Sequence, residues 1–342
     1  MLRLLEPADN SGILPICYFH ALARLGQEGL ILIEPAQSFV SLGLFDDTDT
    51  VLDRDFCARH GVPVMRRETG GGMVLLGPGQ IFYTLVVKRP SRFVPSQVDS
   101  AYRYLSQAPI STYAQFGVKA TLRPINDIIT KQGRKIAGQG AADMNGHFCF
   151  VGSILIDFDT DLMHKVVKLP DQSLRAPLKE ALNAHVTSIY RETGTRPSAE
   201  AVKRALAAAF APLLGGLRSE DPTPSLMAET QAVAAELTSE EALASEDRRP
   251  RRLFKVREGL YLCQRAWSAQ GRAHTLSLTI HDEHIETGSL KTDNGENATH
   301  TDLRGLSGTR FARGDVARAL ATLAPMNVTT DEILAQVFGN QA

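Results

Sequence analysis

The chain has 342 residues, 43% of them apolar and 22% charged. Such an ordinary composition excludes a disordered, collagen-like or disulfide-stapled chain, and the length suits one large folded unit plus a smaller one. With 37 lysines and arginines against 38 aspartates and glutamates, the formal charge is −1, so no global field draws the chain to nucleic acid or an anionic membrane.

Taken in chain order, Arg3, Glu6, Asp9 and Pro15 interrupt any signal-peptide core, and no later apolar run reaches membrane-spanning length. The expectation is a soluble, cytoplasmic protein. Residues 30–33 (LILI), 39–43 (FVSLG) and 62–65 (VPVM) read as strands, as does the β-rich run 81–87 (IFYTLVV). Residues 128–130, 134–137 and 148–157 read as a further meander. Short glycine-containing turns between several of these runs favour a mixed or antiparallel sheet. Val202, Leu206, Phe210 and Leu213 recur at helical spacing behind Ser198 as N-cap, with Gly215-Gly216 as the stop.

That helix closes a first unit, 1–216. Residues 217–252 mix proline, serine and charge and read as a connector, helical over roughly 225–243. A small α+β unit fills 253–342, with strands at 275–280 and 284–290 and helices at 314–324 and 330–338. The fold class expected for the whole chain is α+β. The four cysteines, Cys17, Cys57, Cys149 and Cys263, lie far apart with no CxxC pair. That pattern argues for buried thiols in a reducing compartment over a zinc ribbon or redox site. His281-Asp282-Glu283-His284 reads as a polar hairpin turn in preference to a metal site.

The densest chemical signal is Arg66-Arg67-Glu68-Thr69-Gly70-Gly71-Gly72, between two predicted strands. Three consecutive glycines are costly in chain entropy and pack nothing, so they mark a close backbone approach or a set of amides aimed at an anion. The arginines supply fixed charge and forked donors suited to phosphate or carboxylate, and Thr69 adds a hydroxyl. No Gly-Lys-Ser/Thr follows, so this is not a P-loop, and the spacing is not that of a dinucleotide fingerprint. The second signal is Asn126-Asp127, followed by Gly133-Arg134-Lys135-Ile136-Ala137-Gly138. A lysine set between strand-like apolar residues needs an anionic partner.

These residues resemble the lipoate–protein ligase family, whose catalytic fold is shared with biotin ligases and octanoyl transferases. The family's Arg-Arg-x-Ser-Gly-Gly-Gly element is matched at 66–72 with Thr69 for Ser, and its Asn-Asp element at Asn126-Asp127. Its Gly-x-Lys-(Ile/Val)-x-Gly element is matched at 133–138, and its small-residue turn at Gly152-Ser153. Residues from about 253 resemble the family's accessory domain. The resemblance implies a ligase, acting as a monomer, in which lipoate and ATP with Mg²⁺ form lipoyl-adenylate. The lipoyl group then passes to a lysine of a lipoyl-domain or GcvH-like carrier protein. It implies Lys135 as the catalytic residue at the lipoate carbonyl and α-phosphate. Arg67, Thr69, Gly70, Gly71, Gly72, Asn126, Asp127, Gly138, Gly152 and Ser153 are implied to bind substrate or ATP, with Asp127 also holding metal. Val74, Phe82 and Ile136 are expected as apolar walls.

The sequence departs from the family where its histidines stand, at Leu76 and Val151, and has Gly77 and Gln80 for its Asp and Asn. These departures resemble a branch found in sulfur oxidisers, which joins both units in one chain and loads a lipoate-binding protein. One rival is an octanoyl or lipoyl transferase of the same fold, which uses a cysteine nucleophile. Neither segment where such enzymes carry it, 120–125 or 161–175, contains cysteine. A second rival is a lipoyl-protein binding module without catalysis, against which Lys135, Asn126 and Asp127 argue. A biotin ligase lacks support because its Gly-Arg-Gly-Arg-x-Gly loop is absent.

Overall fold

The computed structural model describes residues 1–169, 172, 175–244, 254–257, 259–293, 298–323 and 328–338. The chain starts with β1 (Leu2–Leu5) and α1 (Leu14–Arg24), whose Pro15 lies in the first turn, where a missing N–H costs no helical hydrogen bond. β2 (Gly29–Ile33) and β3 (Phe39–Leu42) follow, then two short helices, α2 (Thr48–Val51) and α3 (Arg54–Arg59), capped by the side chains of Asp47 and Asp53. β4 (Val64–Arg66), β5 (Val74–Leu76) and β6 (Gln80–Lys88) bracket the glycine loop. Then come α4 (Val98–Leu105), α5 (Gln107–Gln115) and a meander of β7 (Ala120–Arg123), β8 (Asp127–Thr130), β9 (Lys135–Met144) and β10 (His147–Leu155).

Helices α6 (Thr160–Val166), α7 (Arg175–His185), α8 (Ile189–Thr193) and α9 (Ala199–Leu213) complete the run. Ser198 caps α9 as expected, accepting from Ala201 N at 3.2 Å. The stretch expected as a connector holds β11 (Leu217–Glu220), α10 (Pro224–Leu237) and α11 (Glu240–Leu243). β11 joins the sheet in parallel beside β1, and α10 packs on α1. Both pack as elements of the first unit, although their polar surface reads as linker. Residues 245–250 of that stretch lie outside the described residues.

The main sheet runs β11-β1-β2-β6-β10-β9-β8-β7, parallel at its first two pairings and antiparallel beyond. This is the mixed sheet flanked by helices that the turns favoured. β6 explains why the central run is continuously apolar: Ile81, Tyr83, Leu85 and Val87 enter a core shared with α4, α5 and α9. Phe82 and Val86 enter a second core under α1 and α10. A strand covered on both faces has no polar alternation to show. A small sheet, β4-β3-β5, stands beside it.

The C-terminal unit is an antiparallel meander of β12 (Phe254–Arg257), β13 (Leu260–Ala269), β14 (Arg272–His281), β15 (His284–Asp293) and β16 (Ala298–Asp302), with α12 (Arg313–Ala321) and α13 (Thr330–Phe338) over one face. Asp282 and Glu283, both at positive φ, form the tight turn between β14 and β15, so the 281–284 segment is a hairpin turn. Among the described residues no helix is long and apolar enough to cross a membrane.

Candidate active site

The glycine loop crosses one end of the small sheet. β4 pairs in parallel and β5 antiparallel with the same strand, β3, so residues 67–73 must pass over its end. Arg67 N donates to Leu42 O at 3.0 Å. The Arg67 side chain then staples the loop: Nη1 donates to Ser41 O at 2.9 Å, and Nη2 to the carbonyls of Gly70 and Gly72, both at 2.8 Å. Gly71 lies at φ +90°, and a Cβ there would stand 2.9 Å from Arg67 Nη2. From the other side Gly43 closes in, where a Cβ would come within 2.0 Å of Gly71 O. The glycines permit this close backbone stacking, which side chains forbid.

Arg66 works elsewhere. It is buried, with Nε donating to Ala242 O at 2.6 Å, Nη1 to the carbonyls of Gly43 and Asp46 at 2.9 and 2.7 Å, and Nη2 to Thr48 Oγ1 at 2.6 Å. The two arginines therefore shape the loop. The sequence pattern alone presented both as phosphate donors.

The lead-in to the loop is fixed by α1. Glu68 N donates to His20 Nε2 at 3.1 Å, so Nδ1 carries the proton and donates to Ile16 O at 3.1 Å. Burial holds this imidazole neutral, its pKa lowered from 6.5 to about 3. The Glu68 carboxylate pairs with Arg24 at 3.1 Å, and Arg24 with Glu236 of α10 at 2.6 Å.

The second wall is the β8–β9 hairpin. Lys135 Nζ meets Asp127 Oδ1 at 2.8 Å, supplying the anionic partner its setting requires. The Asp127 side chain is 1% exposed and that of Lys135 22%. Asn126 is tied to Gln139 by its side-chain amide donating to the carbonyl at 2.7 Å and by its own carbonyl accepting at 2.9 Å. On β10, Gly152 leaves room for a tyrosine: a Cβ there would stand 2.4 Å from Tyr83 Oη, which accepts from Gln139 Nε2 at 2.9 Å.

These walls enclose a cavity of about 500 Å³, a size typical of small-molecule sites. Lys135, Arg67, Thr69, Gly70, Gly71, Gly72, Asn126, Gly138, Gly152 and Ser153 all line it. Asp127 is not among its lining residues and contacts Lys135, which is. Val74 and Phe82 line it, whereas Ile136 is buried in the main core. Leu76 and Val151, the departures from the family histidines, lie on the cavity wall with Ile16, Phe19 and Phe82, so that side is apolar. The lining includes the cations Arg67, Lys135 and Lys255 and no carboxylate among the described residues. Such a lining suits an anionic ligand with an apolar tail.

Lys255 and Val256 of β12 were missed by sequence reasoning, because nothing local in 253–260 signals a pocket. Asp127 as placed does not fit a metal ligand: its carboxylate is buried against Lys135, and no group of three metal-binding side chains occurs among the described residues. No cysteine lines the cavity, and burial pushes the thiols of Cys17 and Cys149 up to about 12 and that of Cys57 to about 11.

The lipoyl protein ligase A/B catalytic domain family matches residues 17–211. Among curated proteins, the octanoyltransferase LipM of Geobacillus kaustophilus is 27% identical over 193 residues, spanning 50% of this chain and 69% of that protein. Among solved structures, a chain from the Thermoplasma acidophilum lipoylation system, a bi-partite lipoate protein ligase and its E2 lipoyl domain, aligns with a TM-score of 0.63 at 22% identity. It covers 73% of this chain and 98% of that one. LipL1 of P. falciparum in complex with lipoate aligns with a TM-score of 0.55 at 14% identity, over 98% of both chains. At such identities these two likenesses show the fold.

Proposed function

The chain belongs to the lipoyl protein ligase A/B catalytic family, and from that premise we propose that it is an ATP-dependent lipoate–protein ligase. The carboxylate of lipoate attacks the α-phosphorus of ATP, the bond from that phosphorus to the bridging oxygen breaks, and pyrophosphate leaves. The amine of an acceptor lysine then attacks the acyl carbon of lipoyl-adenylate, loses a proton to solvent, and AMP departs. The reading places this chemistry in the cytoplasm, where ATP is at hand, with a lipoyl-type carrier domain as acceptor.

The observation that carries the reading is the pairing of Lys135 with Asp127 at 2.8 Å on the wall of a cavity that, among the described residues, has no carboxylate in its lining. Bringing a carboxylate to a phosphate joins two anions, so a positioned cation is needed where they meet. Asp127, in contact at 2.8 Å, orients Lys135. The glycine loop, braced by Arg67, presents backbone to the same space, and the apolar wall at Leu76, Phe82 and Val151 suits the aliphatic chain.

A second reading, octanoyl transfer from a carrier thioester, is favoured by the resemblance to LipM. It calls for a nucleophilic thiol, and the cysteines here are buried away from the cavity. Incubation with lipoate, Mg-ATP and an apo lipoyl domain, read by intact mass, tests both. A lipoyl mass gain that requires ATP is expected. A gain that requires an octanoyl-carrier thioester and ignores ATP overturns the ligase reading.

A further inference from the structure

Lys135 opens β9, where the strand ladder is thin. β10 pairs with β9 from Gln139 onward, and on the other side the β8 register shifts between Ile128 and Ile129, which face Ala137 and Lys135. The stretch after α7 takes the edge that β10 leaves: Lys135 and Val186 form a parallel bridge, and Thr187 N donates to Lys135 O at 2.8 Å. α8 grips both sides of that bridge. Arg191 donates from Nη1 to Val186 O at 2.7 Å and from Nη2 to Asn183 O at 2.6 Å. Beside it, Glu192 Oε1 meets Arg134 Nη2 at 2.8 Å, with the glutamate side chain 10% exposed. Tyr190 N, donating to Ile156 O at 3.0 Å, ties the same helix to the chain just past β10.

Arg134 and Lys135 are neighbours with different destinations. Lys135 lines the cavity, whereas Arg134 is not among the lining residues and turns to α8. A flexible four-carbon side chain delivers its ammonium to one place only when both of its ends are held. Asp127 holds the tip at 2.8 Å. The root moves with the peptide that Arg134 and Lys135 share, and a register shift in a strand re-aims the side chains beside it. We infer that Glu192 is a positioning residue for the reaction: through Arg134 it fixes the start of β9, and so the point at which the Lys135 ammonium meets the reacting carboxylate and phosphate. This rests on the ligase reading above. Glu192 is not among the residues that line the cavity, so its effect reaches the chemistry through Lys135.

The test uses the full chain and follows pyrophosphate release that requires lipoate and ATP, with kcat, both KM values and the melting temperature measured separately. Glu192→Ala is expected to lower kcat about tenfold, the scale of a small misplacement of a reacting group, and to leave both KM values within about twofold. Glu192→Gln, which keeps an acceptor at the same reach, should recover most of that loss. Arg134→Met should reproduce Glu192→Ala, and the double variant should be no slower than either alone. In a Lys135→Ala background, Glu192→Ala should change the residual rate by less than about twofold. Unchanged kcat in Glu192→Ala and Arg134→Met overturns the inference, as does an equal loss in the Lys135→Ala background or a loss that tracks the folded fraction. Should Glu192→Ala fail to fold, Arg134→Met, whose side chain is 31% exposed, carries the same comparison. Absence of pyrophosphate release by the unsubstituted chain overturns the ligase reading itself, and this inference with it.

Discussion

The two basic elements of the cavity, the glycine loop and the β8–β9 hairpin, look alike in sequence and are built differently. At 66–72 the cations serve the fold: Arg66 is buried among the carbonyls of Gly43, Asp46 and Ala242, and Arg67 braces Gly70 and Gly72. On the hairpin, Lys135 contacts the Asp127 carboxylate and remains about a fifth exposed on the cavity wall. A charge beside glycines can therefore be scaffold or reagent. What separates them is how many of its donors the protein itself takes, which depends on segments distant in sequence.

The sharpest way to break this comparison is Lys135→Ala. We expect adenylate formation, read as pyrophosphate release, to fall by roughly 10²- to 10³-fold, the scale of removing one positioned electrostatic group, with the circular dichroism spectrum retained. Normal release by that variant would make Lys135 scaffold too.

Next in size is Arg66→Met. Several buried carbonyls lose their donors, so stability should drop by about 3 kcal/mol in denaturant titration. Activity should then fall in proportion to the folded fraction. Arg66→Lys should recover little, since one ammonium cannot span the forked set. Loss of turnover with unaltered stability would instead place Arg66 at the ligand.

A pH-dependent effect concerns His20, whose Nε2 accepts from Glu68 N at the loop entrance. Its pKa is lowered from 6.5 to about 3, so the unfolded chain binds a proton that the folded chain refuses. The associated stability is whole above pH 6.5 and is lost as pH falls toward 3, with a slope of up to about 1.4 kcal/mol per pH unit. Urea midpoints followed over that window should show the slope, and His20→Gln should flatten it. An equal slope in both proteins would remove His20 from the argument.

The smallest expected change is in Cys149→Ser. Turnover should be unaltered, while the buried hydroxyl costs about 1–3 kcal/mol of stability. Abolished activity in a folded variant would restore the transferase reading.

Much of this was legible in the sequence, for physical reasons. The central strands announce themselves because β-branched and aromatic residues fill both faces of β6. α9 was readable from its cap, its spacing and its glycine stop. Lys135's need for an anion followed from its apolar neighbours, and Asp127 answers it. The illegible parts share one cause, pairing across long stretches of chain. β1 and β11 are short and mutually dependent. The polar 217–243 stretch reads as linker until α10 is seen to bury Leu226, Val233 and Leu237 against α1. Lys255 belongs to the cavity only because a shared apolar core docks its strand.

The hydrogen bond from Arg66 to Ala242 has a practical side. The loop that faces the ligand takes part of its shape from a carbonyl in the last short helix of the first unit, well past residue 211, where the family match ends. On a ribosome, the loop cannot be finished until residues 240–243 have emerged. A fragment cut at 216 would also expose the apolar face of α1 that α10 covers. Expression trials of pieces cut at 216 should therefore yield insoluble chain.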